Sequence, residues 1–390
     1  MVKINMILYF TEGSENCLMA KRFREAYPDA QEIIIPDTEE DREALYKKET
    51  HSGKRNVFIT PAKGQHFKVC PGTSQPYICC NYWTLHQATN CPFDCSYCIL
   101  QYYLNNPLLT VFSNLDDLKD MITKRITQEP RRFFRVGTGE LADSLAIDDV
   151  AQAGPELIDY AARQNNMILE LKTKSDKVDH LLNSDHKGRS VISWSLNPVD
   201  RISKHEFRAA TLDKRMEALN KVQRAGFMTA FHFDPMLIYD TWEEDYEELV
   251  KTLFQTADPS RIAWISIGSL RFPPEMAEKV RYKFPNTDLL DGEMIRGNDN
   301  KQRYFKPIRL KVYKHLYECL RKYGGEDLFI YFCMEDADVW QKVMGFSPDS
   351  NAHLDFMFFD YLRKKFPTLN IPDVDEKEYE SFHTQRSWEK

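Results

Sequence analysis

Between residues 76 and 270, short apolar runs alternate with segments whose apolar positions return every three or four residues. The runs Tyr77–Trp83, Phe133–Gly137, Met167–Lys172, Val191–Leu196, Met228–Phe233 and Ile262–Ile267 have strand length. Leu115–Thr127, Gly154–Gln164, Leu212–Ala225 and Trp242–Thr256 have the helical period. Six repeats of this kind predict an α/β fold with a parallel sheet closed, or nearly closed, into a barrel. Such barrels carry their sites at the C-terminal ends of the strands.

The flanks read differently. Residues 1–62 predict a small N-terminal α/β unit, with strands at Asn5–Phe10, Glu32–Ile35 and Val57–Thr60 and a helix at Cys17–Ala26. The barrel is expected over residues 76–285 and a C-terminal α/β extension over 286–370. That extension holds helices at Pro307–Tyr323, Asp336–Met344 and Asp355–Lys365 and a strand at Asp327–Cys333. Residues 371–390 are polar and read as a weakly ordered tail. Gly324-Gly325-Glu326 follows a helix and precedes a strand, so a glycine cap explains it.

Composition narrows the class. With 42% apolar residues in 390, a sizeable core is available, and no run is long enough to span a bilayer. The N-terminus lacks the pattern of a secretory leader. Nine cysteines in a chain too long to need disulfide staples fit a reducing cytoplasm. A net charge of −7 argues against indiscriminate polyanion binding but leaves room for a local basic patch. Arg296, Lys301, Arg303, Lys306, Arg309, Lys311 and Lys314 form such a stretch, with Tyr304 and Phe305 interleaved. Lys311 and Lys314 read as the solvated face of a helix, which leaves Lys301, Arg303 and Tyr304 as the better candidates for contacting a nucleic acid.

The strongest chemical signal is Cys91-Pro-Phe-Asp-Cys95-Ser-Tyr-Cys98. It supplies three thiolates, one fewer than a cubane iron–sulfur cluster needs. The remaining iron can be chelated by the amino and carboxylate groups of S-adenosylmethionine (SAM). Zinc is the plainer alternative, with His86 or the Cys79-Cys80 pair completing a tetrahedron, although no second Cys-x-x-Cys exists.

Down to Tyr97 before its last cysteine, this motif resembles the signature of the radical-SAM enzymes. Gln87–Gln101, Phe112–Leu118, Leu169–Leu182, Ser193–Pro198, Arg261–Phe272, Arg303-Tyr304 and Phe332–Trp340 resemble the spore photoproduct lyase family, in the family's order. The resemblance implies a partial (β/α)6 TIM-type radical-SAM barrel with a [4Fe-4S] cluster and SAM. It also implies a cytoplasmic DNA-repair lyase that reverses a methylene-linked thymine dimer through a 5′-deoxyadenosyl radical, served by an external electron donor such as flavodoxin or ferredoxin. Cys91, Cys95 and Cys98 would ligate the cluster, and Gly137, Thr138, Gly139 and Glu140 would hold the methionine amino group. Lys174 would pair with the SAM carboxylate. Ser195 and Asn197, on alternate positions of one strand, would reach the ribose. A DNA-contacting hairpin would lie near Arg303 and Tyr304.

The chain departs from the family at two positions. The family's hydrogen-returning cysteine is Gly137 here, and a tyrosine that follows the third cluster cysteine is Ile99. Tyr97, Cys333, Tyr102 and Tyr103 stand as possible substitutes. These departures keep open a radical-SAM enzyme acting on another nucleic acid or a peptide. From a different class, a noncatalytic zinc-stabilised DNA-binding protein also stays open. His232 and Asp234, on alternate positions ending the fifth strand, read as a hydrogen-bonded pair or as cavity lining, with Arg271 a similar candidate.

Overall fold

The computed structural model describes residues 6–50, 54–72 and 76–384. Its centre is a curled eight-stranded sheet. Six parallel strands follow in chain order: β1 (Trp83–Leu85), β2 (Phe134–Gly137), β3 (Met167–Thr173), β4 (Ser190–Ser195), β5 (Met228–Met236) and β6 (Ile262–Ser269). The last five fall on predicted runs, but the first run, Tyr77–Trp83, gives only Trp83 to β1, because Tyr77–Ile78 pairs instead with Glu335–Asp336 outside the barrel sheet. Beyond β6 the sheet gains a seventh parallel strand, β7 (Ile330–Phe332), and beyond β1 an antiparallel edge, Phe67–Val69. The strand expected in the extension is therefore part of the barrel wall.

Alternation along each strand separates the core from the lumen. On β3, Leu169 and Leu171 are buried among core residues, whereas Glu170 and Lys172 belong to the lumen. Helices Leu115–Ile126, Ala153–Ala162, Leu212–Arg224 and Trp242–Thr256 bury one face each and match the expected segments closely. A fully buried Leu, Ile or Phe in such a layer contributes about 1.5–3 kcal/mol. Thr211 caps its helix by accepting from the Lys214 amide, and Gly325, at φ 89°, ends the long helix Lys306–Gly324.

The N-terminal unit does not stop at residue 62. Its five-stranded sheet runs Gln31–Ile35, Ile7–Thr11, Val57–Thr60, Leu109–Phe112 and Ala88–Thr89. The last two strands bracket residues 90–108, so the cysteine loop is anchored at both ends in this sheet and swings out to the barrel mouth. A helix at Glu39–Glu49, absent from the sequence reading, packs within the same unit.

The tail also differs from expectation. Glu376–Thr384 is helical, and Tyr379 is buried and donates to the Phe133 carbonyl at 3.0 Å. Residues 385–390 of the expected tail lie outside the described residues. No helix among the described residues is long and apolar enough to cross a membrane.

Candidate active site

A cavity of about 330 Å³ opens at the C-terminal ends of the barrel strands. Cys91, Cys95 and Cys98 form one side, with Tyr97 and Ile99 beside them. Gly139, Glu140, Lys172, Lys174, Ser195, Asp234 and Arg271 line the remainder, and Lys301 reaches in from the hairpin above. The loop is held down by strand-like pairing of Asp94 and Cys95 with Glu206 and Phe207. Lys54 and Lys283 both pair with Asp94.

The donor set suits a cluster better than a single ion. All three thiols are free. Burial pushes Cys91 and Cys95 well above the ordinary thiol range, and neighbouring thiols add to the shift. Thiolates at Cys91 and Cys95 are therefore stable only beside a cationic centre. Among the described residues no three His, Cys, Asp or Glu side chains are gathered closely enough to hold one ion. Thiolates around a four-iron cubane stand farther apart than ligands of one zinc. His86 is committed elsewhere, its Nε2 lying 2.5 Å from a Glu140 oxygen.

Opposite the cysteines the pocket offers charges of both signs. Burial works against ionisation of Glu140, but hydrogen bonds from His86 and Thr84 outweigh it and hold the carboxyl below its usual range. Lys174 lies with its ammonium 5.6 Å from the centre of the Tyr97 ring. Asp143 fastens these two walls together. Its carboxylate accepts from the amides of Leu145, Ala146 and Lys174 and from the Thr173 hydroxyl. Its position three residues after Glu140 was a signal the sequence reading passed over. A zwitterionic amino acid fits this wall, with its ammonium at Glu140 and its carboxylate at Lys174.

The remaining expected residues separate into pocket and interior. Ser195 lines the pocket, but Asn197 is buried away from it, donating to Glu206 at 3.1 Å and accepting from Tyr246 at 2.9 Å. The strand ends at Ser195, so the two no longer share a face. The Tyr97 ring lines the pocket while its hydroxyl donates inward to Glu206, which also pairs with the fully buried Arg215. Thr138 is buried and donates to Ser144 at 2.7 Å. Cys333 sits behind the wall, with Arg271 donating to its sulfur at 3.3 Å and burial pushing the thiol up to about 12. Asp234 pairs with Arg271 through two 2.9 Å bonds, and His232 reaches Glu170 instead of Asp234.

Of the three DNA candidates, only Lys301 faces the cavity. Arg303 is 1% exposed, with its guanidinium on Asp299 at 2.6 Å and its plane 4.2 Å from the Tyr77 ring centre. Tyr304 is 2% exposed, packs beneath the cysteine loop and accepts from the Ile238 amide. Both are interior residues where the sequence reading expected DNA contacts, because the strand Gln302–Tyr304 is paired on both edges, Arg303 turns onto Asp299 and Tyr77, and Tyr304 joins the apolar cluster with Cys95 and Tyr97.

The sequence model of the family described as spore photoproduct lyase matches residues 53–322. The chain belongs to the spore photoproduct lyase family. The spore photoproduct lyase of Bacillus subtilis is 28% identical over 235 residues, and that of a Geobacillus species 27% identical over 233. Each match covers 59% of this chain and 66% of the relative, so the chain spans just under two thirds of the length of these relatives. A solved structure of a spore photoproduct lyase mutant with bound AdoMet and dinucleoside spore photoproduct shares the fold. Its TM-score is 0.72 at 22% identity, covering 84% of this chain and 99% of that one. A second mutant structure, with the dinucleoside photoproduct, gives a TM-score of 0.73 with the same coverage.

Proposed function

We propose that this protein is a radical-SAM lyase that repairs a methylene-linked thymine dimer in DNA. The observation that carries the reading is the meeting of Cys91, Cys95 and Cys98 with Glu140 and Lys174 around one cavity at the strand ends. When bound there, a [4Fe-4S] cluster and SAM supply a carbon-centred radical able to take hydrogen from an unactivated C–H bond.

The chain's own residues do the rest. Glu140 and Lys174 orient a zwitterion from two sides, and Gly139 lets the backbone come close. Asp143 keeps both walls in register. Lys301 brings a cation to the open side suited to a dinucleotide phosphate, while the charge of Arg271 is balanced by Asp234. A dimer in duplex DNA must leave the stack to enter, at a cost of a few kcal/mol that is smaller for a damaged site.

The protein acts in the cytoplasm with a one-electron donor of the flavodoxin or ferredoxin type. The test is mass spectrometry of an anaerobic reaction of reconstituted protein, SAM, dithionite and an oligonucleotide carrying the dimer. Restored thymine supports the lyase. Formation of 5′-deoxyadenosine beside an untouched dimer would replace it with the second reading, a relative acting on another nucleic acid or a peptide, which Gly137 and Ile99 favour.

A further inference from the structure

Gly137 ends β2 with no side chain, but its space is filled. A Cβ built on Gly137 would lie 1.4 Å from the Tyr82 hydroxyl oxygen and 2.4 Å from Cζ. The tyrosine comes from the residue just before β1 and lays its phenol across the end of the neighbouring strand.

Where that hydroxyl sits follows from strand alternation. Gly139, Lys172 and Asp234 line the cavity. Gly137, Glu170 and His232 each stand two positions earlier, so they form the next side-chain layer beneath its floor. Within that layer the Tyr82 hydroxyl donates to Glu170 at 2.5 Å, and His232 lies 2.7 Å from the other carboxylate oxygen. Tyr82 itself is half-buried. The result is a phenol under the reaction cavity, backed by a carboxylate and an imidazole that can resupply a proton.

Abstraction of hydrogen from a substrate carbon leaves a carbon radical, and a product with intact C–H bonds needs a hydrogen atom back. We propose that Tyr82 returns that hydrogen atom, its hydroxyl occupying the space of the side chain missing at Gly137. The inference rests on the lyase reading above. In the step, the Tyr82 O–H bond breaks homolytically and a C–H bond forms at the thymine methyl carbon. Tyr82 is left as a neutral phenoxyl radical. One electron from the same donor that serves the cofactor, and one proton from solvent through His232 and Glu170, restore the phenol.

The test compares the parental holoenzyme with Tyr82→Phe in heavy water, using the dimer-bearing oligonucleotide and dithionite. A phenol hydrogen exchanges with solvent, so the parental enzyme should place deuterium in the restored thymine. Tyr82→Phe should keep substrate-dependent 5′-deoxyadenosine formation while thymine recovery falls about tenfold or more. Freeze-quenched parental enzyme labelled with ring-deuterated tyrosine should show a narrowed phenoxyl signal by electron paramagnetic resonance, absent from Tyr82→Phe. Thymine restored at the parental rate by Tyr82→Phe, with solvent deuterium in it, overturns the inference alone. No thymine from the parental enzyme overturns the lyase reading and the inference with it. Should Tyr82→Phe unfold at lower temperature or lose its cluster, the double variant Tyr82→Ala/Gly137→Cys decides. A thiol in the vacated space should recover thymine, and SAM cleavage without recovery would count against the assignment.

Discussion

The cysteine loop and the basic hairpin cross the mouth of the same barrel, and Cys98 and Lys301 line the same cavity. Their residues even share one apolar cluster, in which Cys95 and Tyr97 belong with Phe272 and Tyr304. Yet the loop's chemistry is carried by spacing, whereas the hairpin's depends on which way each side chain turns. Three cysteines at fixed spacing converge wherever the loop goes. A run of basic residues acquires meaning only from burial, and here burial takes Arg303 inward to Asp299 and leaves Lys301 at the cavity.

The comparison is broken most severely on the loop. Cys95→Ala should abolish bound sulfide and all SAM cleavage, since two thiolates cannot hold the cluster. Unchanged sulfide content after reconstitution would contradict the ligand assignment. Next comes the hairpin. Arg303→Ala leaves Asp299 buried beside Glu335 without its guanidinium, and should cost about 3–5 kcal/mol of stability in a denaturant titration. A variant of parental stability with weakened, less salt-dependent DNA binding would return Arg303 to the phosphate-contacting set.

How far the sequence could carry the account differs along the chain for physical reasons. Five of the six barrel strands, β2 to β6, were legible because each carries enough apolar residues to be buried against the helices, whereas β1 was set too early because the apolar pair Tyr77–Ile78 belongs to a separate pairing with Glu335–Asp336. The N-terminal sheet was truncated in the reading because its last strands, Leu109–Phe112 and Ala88–Thr89, join it through pairing of residues far apart in sequence. The helix Glu39–Glu49 has almost no apolar stripe, so periodicity could not find it. Its signals were elsewhere, in Thr38 accepting from the Asp41 amide and in acidic residues opening and lysines closing the helix. At the site, the meeting of Cys91, Cys95 and Cys98 with Glu140 and Lys174 around one cavity was legible from position. The turn of Tyr97 toward Glu206 and the filling of the Gly137 space by Tyr82 were not, because both are set by contacts between strands.

Two milder predictions sharpen the same contrast between buried and exposed charge. Burial alone would raise Glu170 and Glu206, but His232 beside the first, and Arg215 and Lys174 beside the second, hold each at about 2. The unfolded carboxyl titrates at about 4.3, so these groups bind fewer protons in the native state. Their stabilisation is therefore complete above pH about 5 and is lost as pH falls toward about 2. Unfolding midpoints measured across that range should drop on the acid side, and Glu206→Gln should flatten part of the slope. Least of all, Lys314→Ala should change neither stability nor DNA affinity, because its ammonium is exposed and pairs with Glu318 at a loose 3.9 Å.

The most direct test of the central claim compares 5′-deoxyadenosine and thymine formed by the reconstituted protein on two oligonucleotides of one sequence, with and without the methylene-linked dimer. The account predicts that the lesion raises 5′-deoxyadenosine and is itself converted to paired thymines. Equal 5′-deoxyadenosine from both oligonucleotides, with the dimer intact, would contradict it.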